Sequence, residues 1–231
     1  MKKILSMLLV LCMALTLCSA AFAEGKSPVD GMTVAFIPKV SGNSFFEAAN
    51  DGAQKYAADW GLTVDYIGAP TADVTTQLEL IQQAIDKGVD AICISSVDAT
   101  GLDEKLQEAQ DAGIYVSTWD SDVSPNARAL MVSQGTADVL GPMLVDMAVE
   151  SLKERGVDVN GEVKYVWHFS NPSVSDQNSW YVAGDKYIKE KYPSWVAVHD
   201  PYYSNQDPAQ SVSVGESIPV SYTHLTLPTK A

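Results

Sequence analysis

The chain is short of the residues that metal, redox and phosphate chemistry draw on. Its 231 residues hold three histidines, three cysteines, and 15 lysines and arginines against 29 aspartates and glutamates. His168 and His199 have no partner at metal-ligand spacing, and His224 lies close to the C-terminus, so no zinc site is expected. G-x-S-x-G and a phosphate loop are missing too, and no cofactor is expected. A formal net charge of -14 repels phosphate backbones and argues against nucleic acid as a partner.

Long apolar runs are also lacking. The longest, Ile4 to Leu17, falls short of the ~20 residues that span a bilayer. Lys2 and Lys3 precede it and Cys18-Ser19-Ala20-Ala21-Phe22-Ala23 follows, which is the charge, apolar core and A-x-A site of a secretory leader over residues 1–23. The product is therefore expected to be exported, to the periplasm or the outer face of the cell membrane. Cys18 stands where a lipidated cysteine would, but Leu17 before it is not the small residue such signals use, so cleavage is expected after Ala23. That cleavage removes two lysines and no acid, taking the charge from -14 to -16. It leaves Cys93, in the apolar run Ala91 to Ile94, as the remaining cysteine and excludes an intramolecular disulfide.

At the other end, Val220-Ser221-Tyr222-Thr223-His224-Leu225-Thr226-Leu227-Pro228-Thr229 differs in composition from everything before it. It resembles a one-frame translation of a transposon end used in preparing sequencing libraries. Residues 220–231 are thus expected to be a non-native tail with no packed role, on a chain cut within a domain.

Between these ends, short β-branched runs alternate with longer amphipathic ones. Strands are expected at Thr33–Pro38, Leu62–Ile67, Val89–Ser95 and Ile114–Trp119. Helices are expected at Phe45–Trp60 with Ser44 as cap, from about Asp73 to Lys87 with Gly88 as stop, and from about Leu102 to Ala112. Successive apolar positions in the strand through Cys93 suit a parallel strand covered on both faces. This order predicts an α/β fold with a doubly wound parallel sheet over residues 31–130. A second copy of the rhythm is expected over residues 131–219, after Ser124-Pro125-Asn126. Its parts are a short stretch Leu130–Val132, a helix Ala137–Arg155, a strand Val163–Trp167, a helix Gln177–Glu190 and a strand Val196–His199.

Ligands of such sheets bind beyond the carboxyl ends of the strands. There the sequence places Lys39, Asn43 and Phe45, then Trp119-Asp120-Ser121-Asp122, then Ser170 through Asp176-Gln177-Asn178. A small polyhydroxylated ligand needs carboxylates to accept hydroxyl protons, an ammonium or amide to donate, and an apolar face for its ring.

Several of these runs carry a family resemblance. Val34-Ala35-Phe36-Ile37-Pro38-Lys39, Phe45-Phe46, Thr118-Trp119-Asp120-Ser121-Asp122, Gln134-Gly135-Thr136, Leu144-Val145-Asp146-Met147-Ala148 and Ser175-Asp176-Gln177-Asn178 resemble the periplasmic autoinducer-2-binding proteins of bacterial ABC importers. That group is similar in turn to rhamnose- and ribose-binding proteins. The resemblance implies a type I periplasmic binding protein fold, two lobes joined by a hinge, with the second lobe truncated here. It also implies a monomer that delivers its ligand to an ABC permease of the membrane, with ligand contacts at Lys39, Asp120, Asp176 and Gln177. Rhamnose-binding relatives tend to carry asparagine at the place of Asp176, which favours autoinducer-2 over rhamnose or a pentose. Two readings from other classes stand beside this one. One is a secreted sugar-processing enzyme with Asp120 and Asp176 as acid and base. The other is a sugar-responsive repressor, which the secretory leader contradicts.

Overall fold

The computed structural model describes residues 27–221, so the expected leader and residues 222–231 lie outside it. Five parallel strands form the first sheet: β1 (Thr33–Ile37), β2 (Thr63–Tyr66), β3 (Ala91–Ile94), β4 (Tyr115–Trp119) and β5 (Leu130–Val132), in the order β2-β1-β3-β4-β5. Val34 stands opposite both Val64 and Ala91, and Ile94 opposite Thr118. Parallel pairing requires crossovers. They are supplied by α1 (Ser44–Trp60), α2 (Val74–Lys87), α3 (Asp103–Asp111) and, between β4 and β5, a 3-10 turn at Pro125–Ala127. Strand order reverses beside β1, and such a switch point opens a crevice at the carboxyl ends.

Helix ends follow from local chemistry. Asp73 accepts from Thr76 N at 2.8 Å to cap α2, and Gly88 ends it in the left-handed conformation, φ 65°. The expected cap of α1 is corrected: Asn43, one residue before Ser44, has the extended backbone of a cap and accepts from Phe45 N at 3.0 Å.

Ile37, Ile81, Ile92, Ile94, Leu106 and Val116 are fully buried in the core of this half. One polar residue sits among them. Gln77 donates to Pro38 O at 3.0 Å and Ser95 O at 2.8 Å and accepts from Val97 N at 3.0 Å, pinning the ends of β1 and β3 together.

The second half begins later than expected. Leu130–Val132 pairs with β4, so Met131 and Val132 belong to the first sheet. The second half is built from α4 (Ala137–Glu154), β6 (Lys164–Tyr165), β7 (His168–Phe169), α5 (Ser175–Lys191), β8 (Val196–Ala197), β9 (Tyr202–Tyr203) and α6 (Pro208–Ser221). The strand expected at Val163–Trp167 is shortened to β6, and β7 follows beyond its expected end; β6 pairs β8 and β7 pairs β9, both parallel. β9 and α6 had no counterpart in the sequence reading, and α6 carries helix through Ser221, past the expected boundary at Val220. α4 and α5 cross at two glycines. A Cβ on Gly141 would lie 2.6 Å from Gly184 N and from Trp180 O, and one on Gly184 would lie 3.0 Å from Gly141 O. Beside this crossing, Val145, Val149, Val163, Ile188 and Trp195 form a separate core.

Candidate ligand-binding site

Three of the sequence candidates meet at one point. Lys39 extends from the end of β1 and is 3% exposed. Its Nζ lies 2.9 Å from Asp120 Oδ2 and 3.0 Å from Asp176 Oδ2. The aspartates come from opposite halves, Asp120 from the end of β4 and Asp176 from the first turn of α5, where the helix dipole favours a carboxylate. One ammonium against two buried carboxylates leaves a net negative charge, which suits hydroxyl donors and repels anionic ligands.

Further donors fix both carboxylates. Ser95 Oγ donates to Asp120 Oδ2 at 2.8 Å and Gln134 Nε2 to Asp120 Oδ1 at 3.0 Å. Ser121 Oγ donates to Asp176 Oδ1 at 2.7 Å. The backbone is committed as well. Asp120 has φ 60°, its N–H donates to Val132 O at 3.0 Å, and Ser121 N reaches back to Trp119 O at 2.6 Å. Left-handed backbone outside glycine is uncommon, and aspartate is among the residues that adopt it most readily.

The halves also touch without the charged cluster. Asp122 N donates to Ser175 Oγ at 3.0 Å, Ser175 Oγ donates to Asp122 O at 3.0 Å, and Ala99 N donates to Ser173 O at 3.1 Å. The Asp122 side chain itself turns away, to Thr118 and to a two-pronged contact with Arg128. Burial pushes its carboxyl up, but the Arg128 and Thr118 hydrogen bonds outweigh that and hold it below the ordinary carboxylate range.

The remaining candidates lie around this cluster. Gln177 Oε1 accepts from Ser170 N at 2.7 Å, which leaves its amide nitrogen to donate elsewhere. Phe45 is 50% exposed and stacks on Trp119 with ring centroids 6.3 Å apart, while Phe46 is core. Asn43 commits its oxygen to capping α1 and lines a cavity of about 450 Å³ that also touches Gln177, Ser170 and Gln206. Ser121 and Gln134 stand in runs quoted from the sequence but were not named there as contacts, and Ser95 was placed at the end of its strand. Ser95 follows β3 directly, so inspecting every strand end would have found it. Among the described residues no group of histidine, cysteine and acidic side chains could hold a metal, and no helix is long and apolar enough to cross a membrane.

A family model described as a periplasmic binding protein domain matches residues 34–226. The chain belongs to the periplasmic binding protein family. The matched range runs past Val220, into the segment read as adapter-like. Among solved members of the family, LsrB from Clostridium saccharobutylicum in complex with AI-2 is 55% identical with a TM-score of 0.83, over 84% of this chain and 60% of that one. A solute-binding protein from Clostridium phytofermentas with bound L-rhamnose is 25% identical with a TM-score of 0.75, over 82% of this chain and 57% of that one. The D-ribose/D-allose-binding protein of Pseudomonas aeruginosa is 28% identical over 132 residues, 54% of this chain and 41% of its own length. The chain thus spans less than two thirds of each of these periplasmic binding proteins, and all three are solute binders.

Proposed function

We propose that the chain carries most of the first lobe, without its C-terminal return, and the opening of the second lobe of an exported solute-binding protein that captures autoinducer-2 for an ABC importer. The observation that carries this reading is the Lys39 ammonium held between Asp120 and Asp176, one from each half. A hydroxylated ligand entering between the halves finds acceptors on both sides and a donor at the centre, so the closed arrangement is the one in which all its oxygens are paired. Gln177 adds an amide donor and the exposed Phe45 ring an apolar wall. The 55% identity to the LsrB structure solved with AI-2 supports autoinducer-2 ahead of rhamnose, as does the carboxylate at Asp176.

Binding without turnover is favoured by the way both oxygens of each aspartate are already held by donors, which suits a fixed acceptor better than a proton carrier. The test is calorimetric titration of the full-length protein with AI-2, L-rhamnose and D-ribose, followed by recovery of the ligand. Autoinducer-2 is expected to bind at least about tenfold more tightly than either sugar, 1.4 kcal/mol, and to be recovered unchanged. Tighter rhamnose binding would transfer the assignment to that sugar, and a converted ligand would make the protein an enzyme.

A further inference from the structure

Four buried side-chain polar atoms have no hydrogen-bond partner among the described residues, Trp119 Nε1, Trp167 Nε1, Ser170 Oγ and Gln206 Nε2, and the last two share one cavity. Ser170 follows β7 and is 4% exposed. Its backbone is fully used, the carbonyl accepting from Ser204 N at 3.1 Å and Asn205 N at 2.8 Å and the N–H donating to Gln177 Oε1. Only its hydroxyl is left over. Gln206 follows β9, and both residues line the cavity of about 450 Å³ that Gln177 and Asn43 share. Buried polar groups are almost always satisfied, so two orphans on one cavity call for an occupant.

The backbone that presents Gln206 is itself unusual. Asn205 and Gln206 are consecutive residues at φ 50° and 63°, left-handed backbone that glutamine seldom adopts. The loop is held there by Asn205 N on Ser170 O and by Asp207 N on Ser204 O at 2.8 Å. Strain of this kind persists where the surroundings enforce it, and it concentrates at ligand clamps.

We infer that Ser170 and Gln206 form a second oxygen-binding subsite, which fixes a hydroxyl or carbonyl oxygen of the ligand at a distance from the Lys39 cluster. The inference rests on the reading of the cleft as a polyol site. An amide nitrogen can only donate and a hydroxyl can donate or accept, so the matching ligand atom is a neutral oxygen that accepts from Gln206. Asp120 and Asp176 take hydroxyl protons at one end of the ligand, and this pair reads an acceptor at another. Together they would select for where the oxygens stand as well as for their number.

The experiment is titration of AI-2 against the full-length protein and three variants. Gln206→Asn introduces a residue that tolerates left-handed backbone and shortens the reach by one methylene, Ser170→Ala removes the hydroxyl, and Asp176→Ala is the reference for the main cluster. Gln206→Asn and Ser170→Ala are each expected to weaken binding about 3- to 20-fold, with the ligand-free melting temperature not lowered. For one AI-2 analogue lacking a single oxygen, both variants are expected to cost nothing further. Asp176→Ala weakening binding while the other two match wild type would overturn the subsite alone. Asp176→Ala having no effect would overturn the reading of the cleft itself. Losses that are the same for every deoxy analogue would assign the two orphans to a bridging water and also overturn the subsite.

Discussion

Lys39 Nζ stands 3.0 Å from Asp176 Oδ2, so a side chain rooted after the first strand of one half grips the first helical turn of the other. The same nitrogen is 2.9 Å from Asp120 Oδ2, and all three side chains are almost wholly buried. Replacing one member of a buried ionic group leaves charge without compensation. Lys39→Met is therefore expected to lower stability by about 3–5 kcal/mol in denaturant titration and to abolish ligand binding. Adding Asp120→Asn and Asp176→Asn to that variant removes the stranded charges and is expected to recover much of the stability without the binding.

Asp176→Asn separates the two leading ligands. The change is nearly isosteric, but it replaces an anionic acceptor with an amide opposite Lys39 and Ser121. Autoinducer-2 is expected to lose roughly 1.5–3 kcal/mol, about ten- to a hundredfold in affinity, and L-rhamnose distinctly less. Equal losses in calorimetric titrations of both ligands would remove the argument from this residue.

Gly141→Ala tests the crossing of α4 and α5. The new methyl would meet backbone atoms at 2.6 Å, which no rotamer change relieves. Helices forced apart in this way are expected to cost about 1–3 kcal/mol, measured as a drop in thermal unfolding midpoint. Gly52→Ala, in α1 with open space around it, is the control and should leave the midpoint unchanged or raise it.

Arg128→Met tests the Asp122 contact through pH. The Asp122 carboxyl titrates below its ordinary value in the folded chain, so the stability it contributes is present above that ordinary value and is lost as pH falls through the lowered one. Both side chains are about a quarter exposed, and solvent screening limits the effect to about 1 kcal/mol at pH 7. Wild type and variant are expected to converge in acid, where the carboxyl is protonated in both. A gap that persists below the titration would show that Arg128 acts through packing of its stem.

The sequence made the first half legible because each strand there is a short apolar run closed by a polar loop, and each helix has a cap or a stop of its own. Lys39 and Asp120 follow strands of the first sheet, and Asp176 follows β7 of the second half at the start of α5; the family resemblance set them apart from the other polar residues of those loops. What escaped depends on distant contacts. Gln77 reads as the polar side of an amphipathic helix until Pro38 O and Ser95 O are seen above it. Gly141 reads as a blemish in α4 until Gly184 faces it. β5 and β9, three and two residues long, are too short to carry a period and take their pairing from β4 and β7. Asn43 follows a strand and lines the cavity shared with Gln177, and its capping of α1 through Oδ1 is a second role that the sequence does not announce.

The hydroxyl of Ser175 both accepts from and donates to the backbone of Asp122, across the gap between the halves and without any ligand atom taking part. In the proposed binding cycle, a contact of this kind contributes to how often the cleft shuts on nothing. If it is strong, little ligand is needed to complete closure, but the shut form is already common and so carries little news. A weak one raises the concentration required by the inverse of the shut fraction and makes shutting almost synonymous with occupancy. Under the proposed function, Ser175 tunes this trade between sensitivity and contrast together with the Lys39–Asp176, Ser121–Asp176 and Ala99–Ser173 contacts across the same gap.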